Sequence, residues 1–153
     1  MPMSNSLVKI NVHLIFHTKY NGTTIAHEDL PRVFNYIGGI VRSIGGMSFI
    51  VGGMPDHIHA LISVTPTMAL ADFVRTVKAK SSRWIKGIAP RHSSFAWQEG
   101  YGAFSVSPTA LPKVINYITN QEEHHRYKSM SEEMEMFIKA YNIGHEEEQK
   151  SLQ

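Results

Sequence analysis

The sequence of 153 residues contains no cysteine. This absence excludes disulfides, thiolate zinc sites, iron–sulfur clusters and cysteine nucleophiles, so any metal must be bound by histidine, carboxylate, amide or water ligands. Long apolar runs are also missing, since no stretch approaches the ~18 residues that a membrane span requires. Residues 2–6 are polar and lack the basic segment of a signal peptide. We therefore expect a soluble protein without membrane association.

Acidic residues are missing from one long segment of the chain. No Asp or Glu lies between Asp72 and Glu99, whereas six basic residues do: Arg75, Lys78, Lys80, Arg83, Lys86 and Arg91. The formal net charge is only +2, but residues 1–125 carry 11 Lys+Arg against 7 Asp+Glu, and residues 126–153 carry 4 against 6. The body is thus basic and the tail acidic. A segment of one sign inside a domain indicates an anionic partner.

The remaining composition is typical of one globular domain, with 42% hydrophobic and 18% charged residues. Apolar residues at a period of two predict strands, and in residues 7–19 they predict a strand with one buried face. A period near 3.6 predicts helices. The predicted strands cover residues 7–19, 47–51, 57–64 and 102–107, and the predicted helices cover residues 27–44, 69–88, 109–125 and 130–141. The order βαββαβ with extra helices predicts an α+β sandwich with an antiparallel sheet, as in ferredoxin-like or RRM-like folds. We place the domain in residues 1–128 and an acidic helical tail in residues 129–153.

Two histidines, His57 and His59, lie two residues apart on a predicted strand. This spacing projects both imidazoles from one face of the sheet, while Ile58 points into the core. Such a pair suits two ligands on one divalent metal, although nine histidines in 153 residues make the spacing alone a weak motif. The strand is otherwise apolar, and buried polar side chains without partners are costly there.

Tyr117 and Gln121 lie four residues apart on the predicted helix 109–125, hence one turn apart on the shoulder of its apolar face. A tyrosine in this position usually serves packing. The functional alternative makes its phenol a nucleophile toward a phosphodiester, which needs activation because the pKa of a phenol is ~10. The amide oxygen of Gln121 could then be a third metal ligand.

Five segments, in this order along the chain, together resemble the IS200/IS605 family of single-tyrosine transposases. They are residues 11–20 (NVHLIFHTKY), 55–62 (PDHIHALI), 77–84 (VKAKSSRW), 95–101 (FAWQEGY) and 114–121 (VINYITNQ). The combination is more specific than any one segment, and it extends over about residues 7–126. The acidic residues 131–153 match no motif of this kind.

The resemblance implies that His57 and His59 are the metal ligands of the family's HUH motif, Gln121 is the third ligand and Tyr117 is the nucleophile. It implies Mg²⁺ or Mn²⁺ as cofactor, and no nucleotide cofactor. The expected partner is single-stranded DNA with hairpin ends, which is cleaved and rejoined through a 5′-phosphotyrosine. It further implies a homodimer with active sites shared between subunits, in a prokaryotic cytoplasm.

The predicted helix 69–88 carries the basic residues on the side opposite its apolar arc. These candidate DNA-binding residues are Arg75, Lys78, Lys80, Arg83 and Lys86, with Lys80 at the boundary of the arc. A solvated face is the simpler interpretation, but such faces usually mix both signs of charge. A phosphate backbone is the partner that this pattern indicates.

Two alternative functions remain open at this point. The first stays within the same chemistry: a domesticated enzyme acting on chromosomal repeats, or a nickase of the replication-initiator kind. The second is a non-catalytic, RRM-like module that binds single-stranded nucleic acid. The aromatic pattern of RRM strands is missing from the predicted strands, which argues against the second alternative.

Overall fold

The computed structural model describes residues 6–121 and 129–140. The chain divides into two compact units, Met1–Thr119 and Asn120–Gln153, and each is described by itself. The predicted end of the domain at residue 128 lies outside the described residues, so that boundary stays a prediction.

In residues 6–119, the first unit contains one four-stranded sheet and three α-helices, besides short 3₁₀ turns. The strands are β1 (Asn11–His17), β2 (Met47–Met54), β3 (His57–Ser63) and β4 (Gly102–Ser105), and the helices are α1 (Leu30–Ser43), α2 (Leu70–Ile88) and α3 (Leu111–Thr119). The strand order is β2-β3-β1-β4, and all three pairings are antiparallel. This arrangement confirms the predicted α+β fold with an antiparallel, ferredoxin-like sheet.

The connection between β2 and β3 is a tight hairpin. We predicted that β2 would end at residue 51 because two glycines follow, but Gly52 and Gly53 pair with His59 and Ile58, and β2 continues to Met54. Gly53 has a φ of +148°, and a Cβ there would collide with the carbonyl oxygen of His57. Glycine is therefore required at this position, and it fixes the hairpin directly before the histidine pair.

One face of the sheet carries the main hydrophobic core. Every second residue of β1 and β3 packs there against α1 and α2, as the alternation of a strand requires. These residues are Val12, Leu14 and Phe16 of β1, and Ile58, Ala60 and Ile62 of β3. Their large partners from the helix layer include Val33, Ile37, Phe73 and Val77. The predicted placement of Ile58 in the core is confirmed, because its side chain is fully buried.

The opposite face of the sheet is covered in part by α3, through Ile118 and its neighbours on Leu61 and Ile50. We predicted one buried face for β1, and this is wrong: Asn11, His13 and Ile15 are as buried as the core-facing residues. Polar side chains of β1 are buried on this face because α3 lies over it, as the edge-on contact of Tyr117 with His13 shows.

The described part of the second unit contains α4 (Met130–Ala140), a helix that the sequence predicts. Ser129 directly precedes it, and the Oγ of Ser129 accepts a hydrogen bond of 3.2 Å from the backbone N–H of Glu132. Serine followed three residues later by glutamate is a helix-start signature. None of the helices in residues 6–121 and 129–140 is long and apolar enough to cross a membrane.

Candidate active site

Strand β3 brings the two histidines of the motif side by side. The rings of His57 and His59 lie 5.1 Å apart between centroids, and both side chains are fully buried. Both belong to the face opposite Ile58, which confirms the predicted geometry of the pair. Two imidazoles at this separation can bind one cation between them.

Each of these two rings has its Nδ1 atom engaged by a neighbour. The Nδ1 atom of His57 lies 2.7 Å from Oδ1 of Asp56, and Nδ1 of His59 lies 2.8 Å from Nε2 of His13. Metal-binding histidines generally hold their second nitrogen in such a bond, which leaves Nε2 as the atom for the metal. The donor set and its surroundings therefore fit a divalent cation.

His13 lies on β1, two residues before Ile15, which pairs with His59 across the sheet. Burial, and to a smaller extent the neighbouring His59, lower the pKa of His13 to about 3. The imidazole of His13 is thus neutral at neutral pH. A neutral ring can accept the hydrogen bond of a neighbouring histidine, whereas a protonated ring cannot.

Tyr117 of α3 lies next to His59 and His13. Its ring meets that of His59 edge-on at 5.8 Å between centroids, and that of His13 at 6.3 Å. The close approach of α3 depends on Gly52, the β2 partner of His59, because a Cβ there would lie 2.8 Å from Ile118 Cγ2. Within one chain, the first unit thus combines a histidine pair and a phenol.

The predicted helix 109–125 is interrupted within the described residues, and its part from 122 to 125 lies outside them. Helix α3 begins at Leu111 and ends at Thr119, and Asn120 forms a turn before Gln121, which is again helical. The hydroxyl of Thr119 donates a 2.8 Å bond to the carbonyl of Ile115. Thr and Asn are weak helix formers whose side chains compete for backbone bonds, so the helix ends where they stand together.

Gln121 consequently belongs to the second unit rather than to the tyrosine helix. There, its Nε2 donates a hydrogen bond of 3.4 Å to Oε1 of Glu133 on α4. A carboxylate accepts only from the NH₂ side of an amide, so this contact distinguishes the nitrogen of Gln121 from its oxygen. The role of Gln121 as third ligand stays a prediction.

Comparison with known proteins settles the family. Residues 6–121 match the family model described as IS200-like transposase. The chain belongs to the IS200-like transposase family. This confirms the resemblance predicted from the five segments, and membership implies a DNA-cleaving enzyme of DNA transposition. A non-catalytic RRM-like module is therefore the wrong alternative.

The relatives of this transposase agree in sequence and in fold. It is 27% identical over 120 residues to the ISDra2 transposase TnpA of Deinococcus radiodurans, with 75% of this chain and 86% of that protein covered. The crystal structure of a candidate transposase from D. radiodurans R1 superposes with a TM-score of 0.60 at 25% identity, covering 79% of this chain and 97% of that one. A REP-associated tyrosine transposase bound to a REP hairpin shares the fold, with a TM-score of 0.58 at 10% identity and 84% and 76% coverage.

The basic residues of α2 in this transposase differ in their surroundings. Lys78 is half-buried, and its Nζ donates bonds of 2.7 and 2.8 Å to the carbonyls of Gln98 and Gly100. Burial lowers the pKa of Lys78. Arg75 is exposed and forms an ion pair of 2.7 Å with Asp72. The other three predicted DNA-binding residues, Lys80, Arg83 and Lys86, are exposed.

Sequence reasoning missed Asp56 and His13 as neighbours of the histidine pair. Asp56 directly precedes His57, so its reach to that ring could have been anticipated from the motif itself. His13 stands at an even spacing from His17 on β1, which indicates one shared face. The residues of β3 that lie beside His13 depend on the strand register, and spacing alone does not determine the register.

Proposed function

We propose that this transposase cleaves and rejoins single-stranded DNA at transposon ends through a 5′-phosphotyrosine on Tyr117. The observation that carries the proposal is the edge-on packing of Tyr117 on His59, 5.8 Å between ring centroids. Packing alone gives no reason for a tyrosine to contact a buried histidine pair. A nucleophile, in contrast, must lie within reach of the groups that activate its target.

The proposed metal ligands are His57, His59 and Gln121. A bound divalent ion would neutralise charge on the phosphodiester and make its phosphorus more electrophilic. Mg²⁺ and Mn²⁺ are the proposed ions, and Mn²⁺ is the better probe because imidazole is a softer ligand than Mg²⁺ prefers. The third ligand rests on the family resemblance. Mn²⁺ binding by Gln121→Ala and Glu133→Ala tests it, because the two side chains are hydrogen-bonded to each other. If Gln121 is the ligand, Gln121→Ala should weaken Mn²⁺ binding more than Glu133→Ala does.

In the proposed reaction, the Oη atom of Tyr117 attacks phosphorus in line with the 3′ oxygen. The bond from phosphorus to the 3′ oxygen breaks, and a bond from phosphorus to Oη forms. The phenol proton is lost and the departing 3′ oxygen gains one, so the products are a 5′-phosphotyrosine and a free 3′-OH. The phosphodiester energy is kept in the covalent link, so rejoining needs no nucleotide cofactor.

The proposed DNA partner carries hairpins at the transposon ends. The fold neighbour bound to a REP hairpin supports this choice. Exposed cations at Lys80, Arg83 and Lys86 supply charge complementary to a phosphate backbone. We propose a smaller contribution from Lys78, because its ammonium already donates to two carbonyls of the chain.

Cleavage of labelled DNA tests the proposal. The substrate is a single strand with a hairpin and its flanking transposon sequence, incubated with Mn²⁺. We expect Tyr117→Phe to bind this DNA like the unmodified protein and to cleave none of it, because only the attacking oxygen is lost. Tyr101→Phe is the matched control, since Tyr101 is exposed and should be dispensable. Cleavage by Tyr117→Phe, or its loss in Tyr101→Phe, would show that the nucleophile is assigned to the wrong tyrosine.

We further propose a homodimer in which the tyrosine helices are exchanged, so that the contact that Tyr117 makes with His59 within one chain is made instead between one subunit's histidine pair and the partner's tyrosine helix. Co-refolding Tyr117→Phe with the double variant His57→Ala/His59→Ala tests this arrangement. Random pairing makes about half of the dimers mixed, each with one intact shared site, so about a quarter of the activity should return. A site built within one chain predicts no recovery, since every subunit keeps its own lesion.

A repeat-associated role would use the same chemistry on another substrate. The experiment that separates it supplies two hairpin substrates, one from the flanks of the coding sequence and one from chromosomal repeats. We expect the flanking hairpins to be cleaved faster. Preference for the chromosomal repeats would replace the mobile-element role by a domesticated one without changing the roles of Tyr117 and the histidine pair.

A further inference from the structure

His13 and His59 form a buried histidine–histidine hydrogen bond across β1 and β3. Nε2 of His13 lies 2.8 Å from Nδ1 of His59, and the rings are tilted by 36° at 5.0 Å between centroids. We infer that His13 is a positioning residue: its Nε2 accepts the Nδ1–H of His59 and so fixes the tautomer in which His59 can bind a metal through Nε2. This inference rests on the proposed function, in which His59 is a ligand.

The number of protons that the two rings share limits which ring can donate. A hydrogen bond between two imidazole nitrogens holds one proton, so one ring donates and the other accepts. If His13 donated, the neutral ring of His59 would carry its own proton on Nε2, and no lone pair would face a metal. If His59 donates, its Nε2 carries the lone pair. Only the second arrangement is compatible with a metal ligand.

His57 has a different partner, and the difference is informative. Its Nδ1 faces the carboxylate of Asp56, which can only accept, so its tautomer is settled without a choice. Asp56 is 57% exposed at its side chain, whereas His13 is 2% exposed as a residue. A carboxylate at the buried position would cost desolvation and would repel a phosphodiester. A neutral acceptor avoids both effects.

Packing alone does not explain why residue 13 is a histidine. Its ring contacts those of His59 and Tyr117 at once. An apolar residue of similar size would fill the same space without leaving a buried nitrogen to satisfy. A ring that only packed would therefore be replaceable by phenylalanine with no effect on the tautomer of His59.

Histidine tautomers in the metal-free protein test the inference directly. Long-range ¹H–¹⁵N correlation spectra distinguish a ring protonated at Nδ1 from one protonated at Nε2. We expect His59 as the Nδ1–H tautomer, and we expect His13→Phe to shift it toward Nε2–H while the backbone spectrum stays folded. An Nε2–H tautomer of His59 in the unmodified protein, or an unchanged one in His13→Phe, would overturn the inference.

Mn²⁺ affinity, measured by calorimetry, provides the second readout. We expect His13→Phe to weaken Mn²⁺ binding by about 10–100-fold, the usual effect of removing a residue that orients a metal ligand. His13→Gln should restore most of the affinity, because its carbonyl can accept the same N–H. His92→Phe is the matched control, since His92 is also fully buried but bonds to the backbone N–H of Ala26.

The outcomes separate this inference from the proposed function. If the unmodified protein binds no Mn²⁺, or if His59→Ala binds it equally well, the proposed metal site fails. If the site binds Mn²⁺ through His59 but His13→Phe binds it as tightly as His92→Phe does, the positioning role alone fails. If neither His13→Phe nor His13→Gln folds, the tautomer of His59 in the unmodified protein still decides.

Discussion

The two faces of the sheet differ in chemistry although they share the same strands. On β3, Ile58 faces an apolar core built with α1 and α2, and its neighbours His57 and His59 lie on the opposite face, where His59 meets the ring of Tyr117 of α3. A strand period of two thus separates groups that stabilise the fold from groups that carry the reaction by a single residue step. The residues of β1 and β3 that face the core are apolar, whereas the other face of the same strands carries hydrogen-bonded imidazoles.

Burial has a different energetic consequence on each face of the sheet. Ile58 and His59 are equally buried, but burying Ile58 stabilises the fold, while burying His59 requires compensation by His13. Substitutions on the two faces should therefore be distinguishable by which quantity they change: the free energy of unfolding on one face, and metal binding and cleavage on the other.

The largest expected effect is the loss of cleavage in His57→Ala or His59→Ala. Each removes a proposed metal ligand, and losing several kcal/mol of charge stabilisation should slow cleavage by about 10³-fold. Gln121→Ala should have a milder effect, because water can replace a neutral amide ligand. Single-turnover rates with labelled DNA measure this difference. Full activity in excess chelator would show that cleavage does not depend on a metal bound by the histidine face.

The next effect is on stability and belongs to the apolar face. Ile58→Ala should lower the free energy of unfolding by about 2–5 kcal/mol, the range for buried large-to-small substitutions. His59→Ala should lower it by less, because it also removes the desolvation cost of a buried imidazole, which offsets part of the lost packing and of the lost hydrogen bond, worth about 1 kcal/mol. Denaturant titrations of both variants make the comparison. Equal losses would mean that both faces serve the fold alike.

A smaller effect is expected from Gly52→Ala, which alters the packing of α3 on the sheet. A Cβ at this position would lie 2.8 Å from Ile118, the residue after Tyr117, so the helix must shift. Displacing a nucleophile by about 1 Å can reduce a rate by about 10²-fold. We expect reduced cleavage with retained Mn²⁺ binding. Unchanged cleavage would show that α3 adjusts without moving its tyrosine.

The smallest effect concerns the outer surface of the helix layer. Arg83→Ala/Lys86→Ala should reduce the slope of log K against log salt for single-stranded DNA by about 1.4, at about 0.7 per lost phosphate contact. Lys78→Ala should instead lower stability, because its ammonium bonds two carbonyls. Binding measured at four salt concentrations tests both. An unchanged slope in the double variant would show that this surface is solvated and does not contact the DNA phosphates.

Much of the fold was predictable from the sequence, because the apolar period and the residues that end helices and strands are local properties. Strand β3 and helix α2 agree with prediction to within a residue or so at each end, since apolar periodicity and flanking Pro and Gly define them. The end of α3 was missed: the prediction extended the helix through the polar residues after Thr119, where no apolar period supports it, while the helix ends at Thr119. The hydroxyl of Thr119 bonds to the carbonyl of Ile115, and such side-chain competition for backbone bonds favours the end of a helix.

The candidate site was predictable only in part, for a related reason. The spacing of His57 and His59 indicates one shared face, and the family resemblance points to Tyr117. The contribution of His13 depends on the antiparallel register of β1 with β3, a property of strands that are distant in sequence. The close approach at Gly52 likewise depends on where α3 packs. Such long-range contacts are beyond what local patterns determine.

The most direct test of the central assignment is the site of covalent attachment to DNA. The unmodified protein is incubated with Mn²⁺ and a labelled hairpin strand, digested, and the DNA-linked peptide is sequenced by mass spectrometry. The account predicts one adduct, through a 5′ phosphate on Tyr117, that disappears with chelator and in His57→Ala/His59→Ala. An adduct on Tyr20 or Tyr101, or cleavage of the strand without any adduct, would contradict it.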